Sequence, residues 1–227
     1  MKESKLSILL QFSGGTFPTG GFSQSWGLET YVTDERISCT EGSRKFLTMY
    51  LDAVIACCEG PILRETVRYA ADWNLEEIEK LEELSIAMKL SKESREAALR
   101  TGKALLRVAS EIIKDRQLSD FYKANSRLGV TNAVAFGMIC GRLGISPSEA
   151  LEAYVFSTAN NIVQSSIKLI PLGNTEAQRM LLEMQPVMAE CVSKSMVLAV
   201  SDVSNFSPGL DVASILHETL PVRLYMS

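Results

Sequence analysis

The chain has 227 residues, of which 46% are apolar and 22% charged, and its formal net charge at pH 7 is −4. This length can bury a substantial core, and the composition is typical of a soluble globular protein. Nucleic acids and anionic membranes attract basic proteins, and a membrane-spanning helix needs about 20 consecutive apolar residues. Because the chain has neither an excess of basic residues nor an apolar run of that length, we expect residues 1–227 to form one cytoplasmic domain that binds neither nucleic acid nor membrane.

Metal and disulfide chemistry find little support in the sequence. The five cysteines are odd in number and lack C-x-x-C spacing, which argues against a disulfide framework and a zinc site. His217 is the only histidine, so a histidine-rich metal site within one chain is excluded. We expect no bound cofactor. The basic run over residues 89–103 is interrupted by glutamates and predicts a solvated helix face.

Apolar residues recur at helical spacing along almost the whole chain, beginning with residues 1–12. Ser38 and Glu41 form the pattern of a capping box and predict a helix start. The pair Gly60 and Pro61 predicts the end of that helix, because proline suits the first turn of the next one.

The second half of the chain continues this pattern. Residues 132–143 are rich in glycine and alanine, which favours a central helix that neighbours approach closely. Ser146 and Glu149 predict a capping box, and Pro186 is expected to kink or split a long helix over residues 175–200. The prediction is an all-α fold, a single globular domain of about ten helices.

The glycine-rich stretch GGTFPTGG at residues 14–21 does not match a phosphate-binding loop, because no G-x-x-x-x-G-K-[ST] pattern or G-x-G-x-x-G pattern is present. We interpret it as a hinge between helices. Ser23 and Ser25 lie outside any G-x-S-x-G elbow, and the only histidine is far along the chain, so we expect local hydrogen bonds and no nucleophile. No motif predicts an enzyme.

One predicted helix, residues 146–170, bears an unusual polar stripe at helical spacing: Ser157, Asn160, Asn161, Gln164 and Lys168. Amides suit a buried hydrogen-bonded network or a half-exposed face, and equally a polar interface or a water-lined passage. Both interpretations stay open at this point.

The C-terminus, HETLPVRLYMS at residues 217–227, ends in apolar side chains where most chain ends are polar and frayed. Such an end predicts burial in the protein or in a partner. Arg223 is its only cation, and it suits either an anchor for the tail or an arginine finger for a nucleotide-hydrolysing partner. His217 with Glu218 is a weak candidate metal site, since two ligands bind poorly unless a dimer doubles them.

Four segments together resemble the UreF-type urease accessory proteins. They are FPTGGFSQSWGLE at residues 17–29, NAVAFG at 132–137 with LGI at 143–145, IPL at 170–172, and HE with RLYMS at the C-terminus. The first and last of these are specific, and the set spans the chain from its first helix to its end.

The resemblance implies an all-α homodimer without catalysis of its own or a cofactor of its own. Members of the family join a UreD/UreH-type accessory protein and a UreG-type GTPase, dock on apo-urease, and couple GTP hydrolysis to nickel delivery through the assembled complex. It further implies that the glycine–aromatic turn and an ordered tail pack together and help to form partner surfaces. The implied partner-binding residues are Phe17, Pro18, Gly20, Gly21, Phe22, Ser25, Trp26, Glu29, His217, Arg223, Leu224, Tyr225, Met226 and Ser227.

Some family members have tyrosine at the position of Phe22, so here stacking on Arg223 would have to replace a hydroxyl contact. Three functional hypotheses remain: a scaffold that recruits and regulates the GTPase, a GTPase activator that uses an arginine, and a helical nickel metallochaperone. The last is the weakest, because the chain has one histidine and scattered cysteines.

Overall fold

A computed structural model describes residues 4–226, and this part of the chain forms eleven helices and no strand. The prediction of an all-α domain is therefore confirmed. The helices are α1 Lys5–Ser13, α2 Leu28–Thr33, α3 Thr40–Ala71, α4 Leu75–Ala87, α5 Lys92–Ile112, α6 Arg116–Asn125, α7 Asn132–Arg142, α8 Pro147–Leu169, α9 Asn174–Glu183, α10 Gln185–Val197 and α11 Pro208–His217.

Helix α3 does not end at Gly60 and Pro61, so that prediction was wrong. A π-helical segment, Leu51–Glu59, precedes the pair and leads directly into the α-helical segment Gly60–Ala71. The wider π winding accommodates a proline inside a continuous helix, because the i−4 carbonyl no longer has to bond to the missing N–H. Gly60 itself is needed for packing, since a Cβ there would lie 2.1 Å from Ser195 Oγ on α10.

Helix α7 is central, as its small residues predicted. A Cβ at Gly137 would lie 2.8 Å from Thr66 Cβ, and one at Gly141 would lie 2.4 Å from the carbonyl oxygen of Val67. Both contacts are with α3, so the two helices approach at backbone distance. The single hydrophobic core is built around this pair, with α5 and α8 packed against it.

Local signals gave mixed results at the helix ends. Ser146 and Glu149 form the predicted capping box, and α9 and α10 are separated next to Pro186, as expected. The predicted box at Ser38 was wrong, because Cys39 is the N-cap residue and makes no side-chain capping bond.

Helix α3 is also the one helix among the described residues that is long and apolar enough to cross a membrane. Its most apolar stretch is 72% buried inside the protein, which is what a core helix requires.

Candidate functional site: the glycine–aromatic turn and the C-terminal segment

The glycine–aromatic turn, residues 14–27, connects α1 to α2 and relies on left-handed backbone. Gly20 has φ +75° and Gly27 has φ +87°, values that glycine adopts without steric cost. A Cβ at Gly27 would lie 3.6 Å from Leu210 Cδ2, so the turn also packs closely against α11. Trp26 has φ 56°, an uncommon value for a bulky residue.

The turn buries some predicted site residues and exposes others. Phe17 packs on Phe12 with ring centroids 4.9 Å apart, and Ser25 and Glu29 are buried. Phe22 is 62% exposed. The buried side chains hold the turn in place, and Phe22 is available to a partner.

The C-terminal segment, residues 223–226, is ordered against this turn. The backbone N–H groups of Leu224 and Tyr225 donate to the Glu29 carboxylate at 2.6 and 3.1 Å, and Met226 N donates to the Ser23 carbonyl at 2.8 Å. The implied packing of tail on turn is therefore present. Ser227 lies outside the described residues.

His217 is not a surface residue. Its ring is fully buried between two carboxylates: Nε2 lies 2.8 Å from Glu29 Oε2, and Nδ1 lies 2.8 Å from Glu93 Oε2. Each ring nitrogen thus faces a carboxylate oxygen, and neither is open to a metal ion in this arrangement. Residues 4–226 contain no group of three His, Cys, Asp or Glu side chains arranged to hold a metal ion.

Arg223 is held by a residue that sequence reasoning missed. Its Nη1 donates to Glu93 Oε1 at 3.2 Å, and within the described part of the chain no cation–π contact joins Arg223 to Phe22. The expected stacking is replaced by an ion pair. No sequence signal singled out Glu93, because it lies 130 residues from its arginine and interrupts a run of basic residues.

The outer side of the segment is apolar. Leu224 is 69% exposed and Met226 is 50% exposed, whereas Tyr225 between them is 5% exposed. Arg100 Nη1 lies 3.4 Å from Met226 Sδ and adds a cation beside this patch. Exposed apolar side chains that are held in fixed positions are typical of an interaction site.

The polar stripe of α8 runs beneath the turn and the segment. Ser157 Oγ donates to the Ser13 carbonyl at 2.8 Å, and a Cβ at Gly21 would lie 3.5 Å from Asn161 Nδ2. Lys168 Nζ lies 5.6 Å from the centre of the Tyr225 ring.

Within the stripe, Asn160 is half-buried and Gln164 is exposed. The stripe is therefore partly a support for the turn and partly open surface. Its use as an interface or passage stays a prediction.

A buried ion pair lies under the turn. Lys89 Nζ donates to Glu59, whose other oxygen accepts the Tyr154 hydroxyl at 2.8 Å. Burial alone lowers the pKa of Lys89, but the charge and hydrogen bond of Glu59, together with Cys58 and Glu82, outweigh it and the pKa is raised. Lys89 therefore departs from the predicted solvated face. Glu59 and Tyr154 also line a cavity of about 50 Å³ that reaches Trp26.

Comparison with known proteins points to one family. Residues 37–185 match the sequence model of the UreF family. The chain is 29% identical to the urease accessory protein UreF of Geobacillus kaustophilus (strain HTA426), with all of both chains covered. It is 30% identical to the UreF protein of Lachnoclostridium phytofermentans, over 96% of this chain and 97% of that protein. A UreF protein of Bacillus sp. (strain TB-90) is 29% identical over 99% of this chain.

Proposed function

Because this chain belongs to the UreF family of urease accessory proteins, we propose that it is a scaffold for nickel delivery to apo-urease. It joins a UreD/UreH-type accessory protein to a UreG-type GTPase and regulates that GTPase. It acts in the cytoplasm as a homodimer, and nickel passes through the assembled complex as cargo. Its homologues are named as accessory proteins, which fits a chain that catalyses no reaction itself.

The observation that supports the scaffold best is the alternation of burial in the C-terminal segment. Tyr225 is buried while Leu224 and Met226 are exposed, and backbone N–H bonds to Glu29 and to the Ser23 carbonyl hold the segment in place. A segment fixed in advance loses little conformational entropy when a partner binds. The arrangement suits a docking surface for another protein.

The test is co-expression with UreD- and UreG-type proteins, followed by affinity capture and light scattering. We expect the complex with the full chain and its loss when residues 223–227 are removed. Leu224→Asp should weaken capture at least tenfold, because a charge would be desolvated at the interface. Leu182→Asp is the matched control, since Leu182 is 72% exposed on α9 and lies outside the turn and segment. Equal capture by all variants would refute the proposal.

GTPase activation by an arginine finger is the second candidate, and Arg223 is its residue. The side chain is 44% exposed, but one guanidinium nitrogen is paired with Glu93. This pairing favours an anchoring role. An Arg223→Lys variant decides the matter: a finger predicts normal docking with a reduced rate of GTP hydrolysis, and an anchor predicts no separate loss of rate.

A nickel-carrying metallochaperone is the weakest candidate. Its metal site would rest on His217, whose two nitrogens already face carboxylates in a fully buried position. Nickel titration of the isolated protein, followed by calorimetry, tests it, and a stoichiometric site lost in His217→Gln would revive the hypothesis.

A further inference from the structure

One buried imidazole connects three helices with the C-terminal segment. His217 is the last residue of α11, and its ring lies between Glu29 of α2 and Glu93 of α5 at 2.8 Å from each. The ring is fully buried, so a docking protein cannot touch it. Any effect of His217 on partners must therefore pass through other residues.

The two glutamates connect the His217 ring to the C-terminal segment. Glu29 accepts the N–H groups of Leu224 and Tyr225, and Glu93 accepts Arg223 Nη1. The two carboxylates that hold residues 223–225 are therefore the same two that the His217 ring contacts.

Hydrogen-bond chemistry makes the arrangement specific to histidine. Each ring nitrogen lies at hydrogen-bond distance from a carboxylate oxygen, so one planar ring reaches both glutamates at once. An amide side chain has both of its N–H donors on one nitrogen, and its carbonyl oxygen would face the other carboxylate.

We propose that His217 is a positioning residue for partner capture: by fixing Glu29 and Glu93 it sets the docked conformation of residues 223–226. This inference rests on the proposed function, because it assumes that the docked segment is what the partners bind. It assigns to His217 a role through the segment, where the sequence suggested direct contact or metal binding.

The first experiment compares His217→Gln, Glu29→Gln and wild type by timed carboxypeptidase release of the C-terminal residues, with thermal unfolding measured in parallel. Charge-assisted hydrogen bonds are about twice as strong as neutral ones, so we expect release to accelerate about tenfold or more in both variants. Glu218→Gln is the control, because Glu218 is the exposed neighbour of His217 and lies outside the cluster. Folded His217→Gln and Glu29→Gln proteins with wild-type release rates would overturn the proposal.

A second measurement avoids substitutions in the cluster. His217 is the only histidine, so a protein without a histidine tag gives one set of imidazole ¹⁵N signals. Removing residues 223–227 takes away three donors from the two glutamates, and the His217 signals should shift. Unchanged signals would overturn the connection between the ring and the segment.

Capture of the UreD- and UreG-type proteins separates this inference from the proposed function. Faster release together with lost capture supports both. Faster release with full capture leaves the role of His217 in positioning the segment standing and refutes the segment as the docking surface.

Discussion

Lys89→Met tests the buried ion pair beneath the turn. Lys89 and Glu59 are 7% and 8% exposed, so neither charge is solvated when its partner is removed. Breaking a buried pair on one side costs about 3–5 kcal/mol, because the remaining charge stays uncompensated. We expect the free energy of unfolding to fall by this amount, which is a large part of the roughly 5–15 kcal/mol of a typical domain.

Urea unfolding with an unchanged m-value measures this loss. Lys92→Met is the control, because Lys92 is exposed and its removal should change stability by less than about 0.5 kcal/mol. Combining Lys89→Met with Glu59→Gln should recover much of the loss, because the amide oxygen still accepts the Tyr154 hydroxyl while no charge is left unpaired. A loss below about 1 kcal/mol in the single variant would refute the reasoning.

The pH dependence of the pair has a defined sign. The pKa of Lys89 is raised in the folded protein, since Glu59, with smaller contributions from Cys58 and Glu82, outweighs the opposing effect of burial. The stabilisation is therefore complete below the unfolded value of about 10.4 and is lost only as pH rises through the higher folded value. The advantage of wild type over Lys89→Met should persist throughout the neutral range.

Three further experiments test other parts of the structure. Gly60→Ala would place a Cβ 2.1 Å from a side-chain oxygen of α10, so we expect a loss of about 1–3 kcal/mol in urea unfolding, and wild-type stability would contradict the packing. Burial raises the pKa of Cys58 to about 12, so iodoacetamide at pH 8 should label exposed Cys39 and leave Cys58 unmodified until urea is added, as mass spectrometry can show. The pKa of Asp115 is lowered although burial opposes this, because Arg142 and backbone N–H groups outweigh it. The ionised carboxylate should stabilise the fold by about 1 kcal/mol above pH 4, and this should vanish as pH falls through the pKa of Asp115 in the folded protein. Asp115→Asn and wild type should therefore have equal melting temperatures only in acid.

Features governed by near neighbours were predictable from the sequence. Ser146 and Glu149 form a capping box because both act within one helical turn, and Pro186 divides a helix because it lacks an N–H group. The small residues of α7 predicted close packing for the same local reason, although not the partner helix. Gly60 and Pro61 misled because a π-helical segment, Leu51–Glu59, leads directly into them, and no local sequence pattern marks that winding.

The site was only partly predictable. The apolar composition of the C-terminus predicted burial, but within residues 4–226 this holds for Tyr225 only, since Leu224 and Met226 are exposed. Contact of the segment with the turn was implied by family resemblance. The residues that hold it, Glu93 and the buried ring of His217, are distant in sequence from their partners, and a lone glutamate in a basic run resembles any solvated helix residue. Sequence alone therefore indicated that the tail is held, but not the polar cluster that holds it.

The C-terminal segment is held by its main chain, so the groups that attach it differ from the side chains that it presents to a partner. Leu224 and Met226 are both held by their backbone N–H groups, while their side chains face outward. The main-chain bond at position 224 is therefore independent of the side chain there, with proline as the exception because it has no N–H to donate. At position 226 the side chain adds contacts of its sulfur with Ser23 and Arg100. The outer surface can change its chemistry, and hence its choice of partner, on an attachment that stays the same.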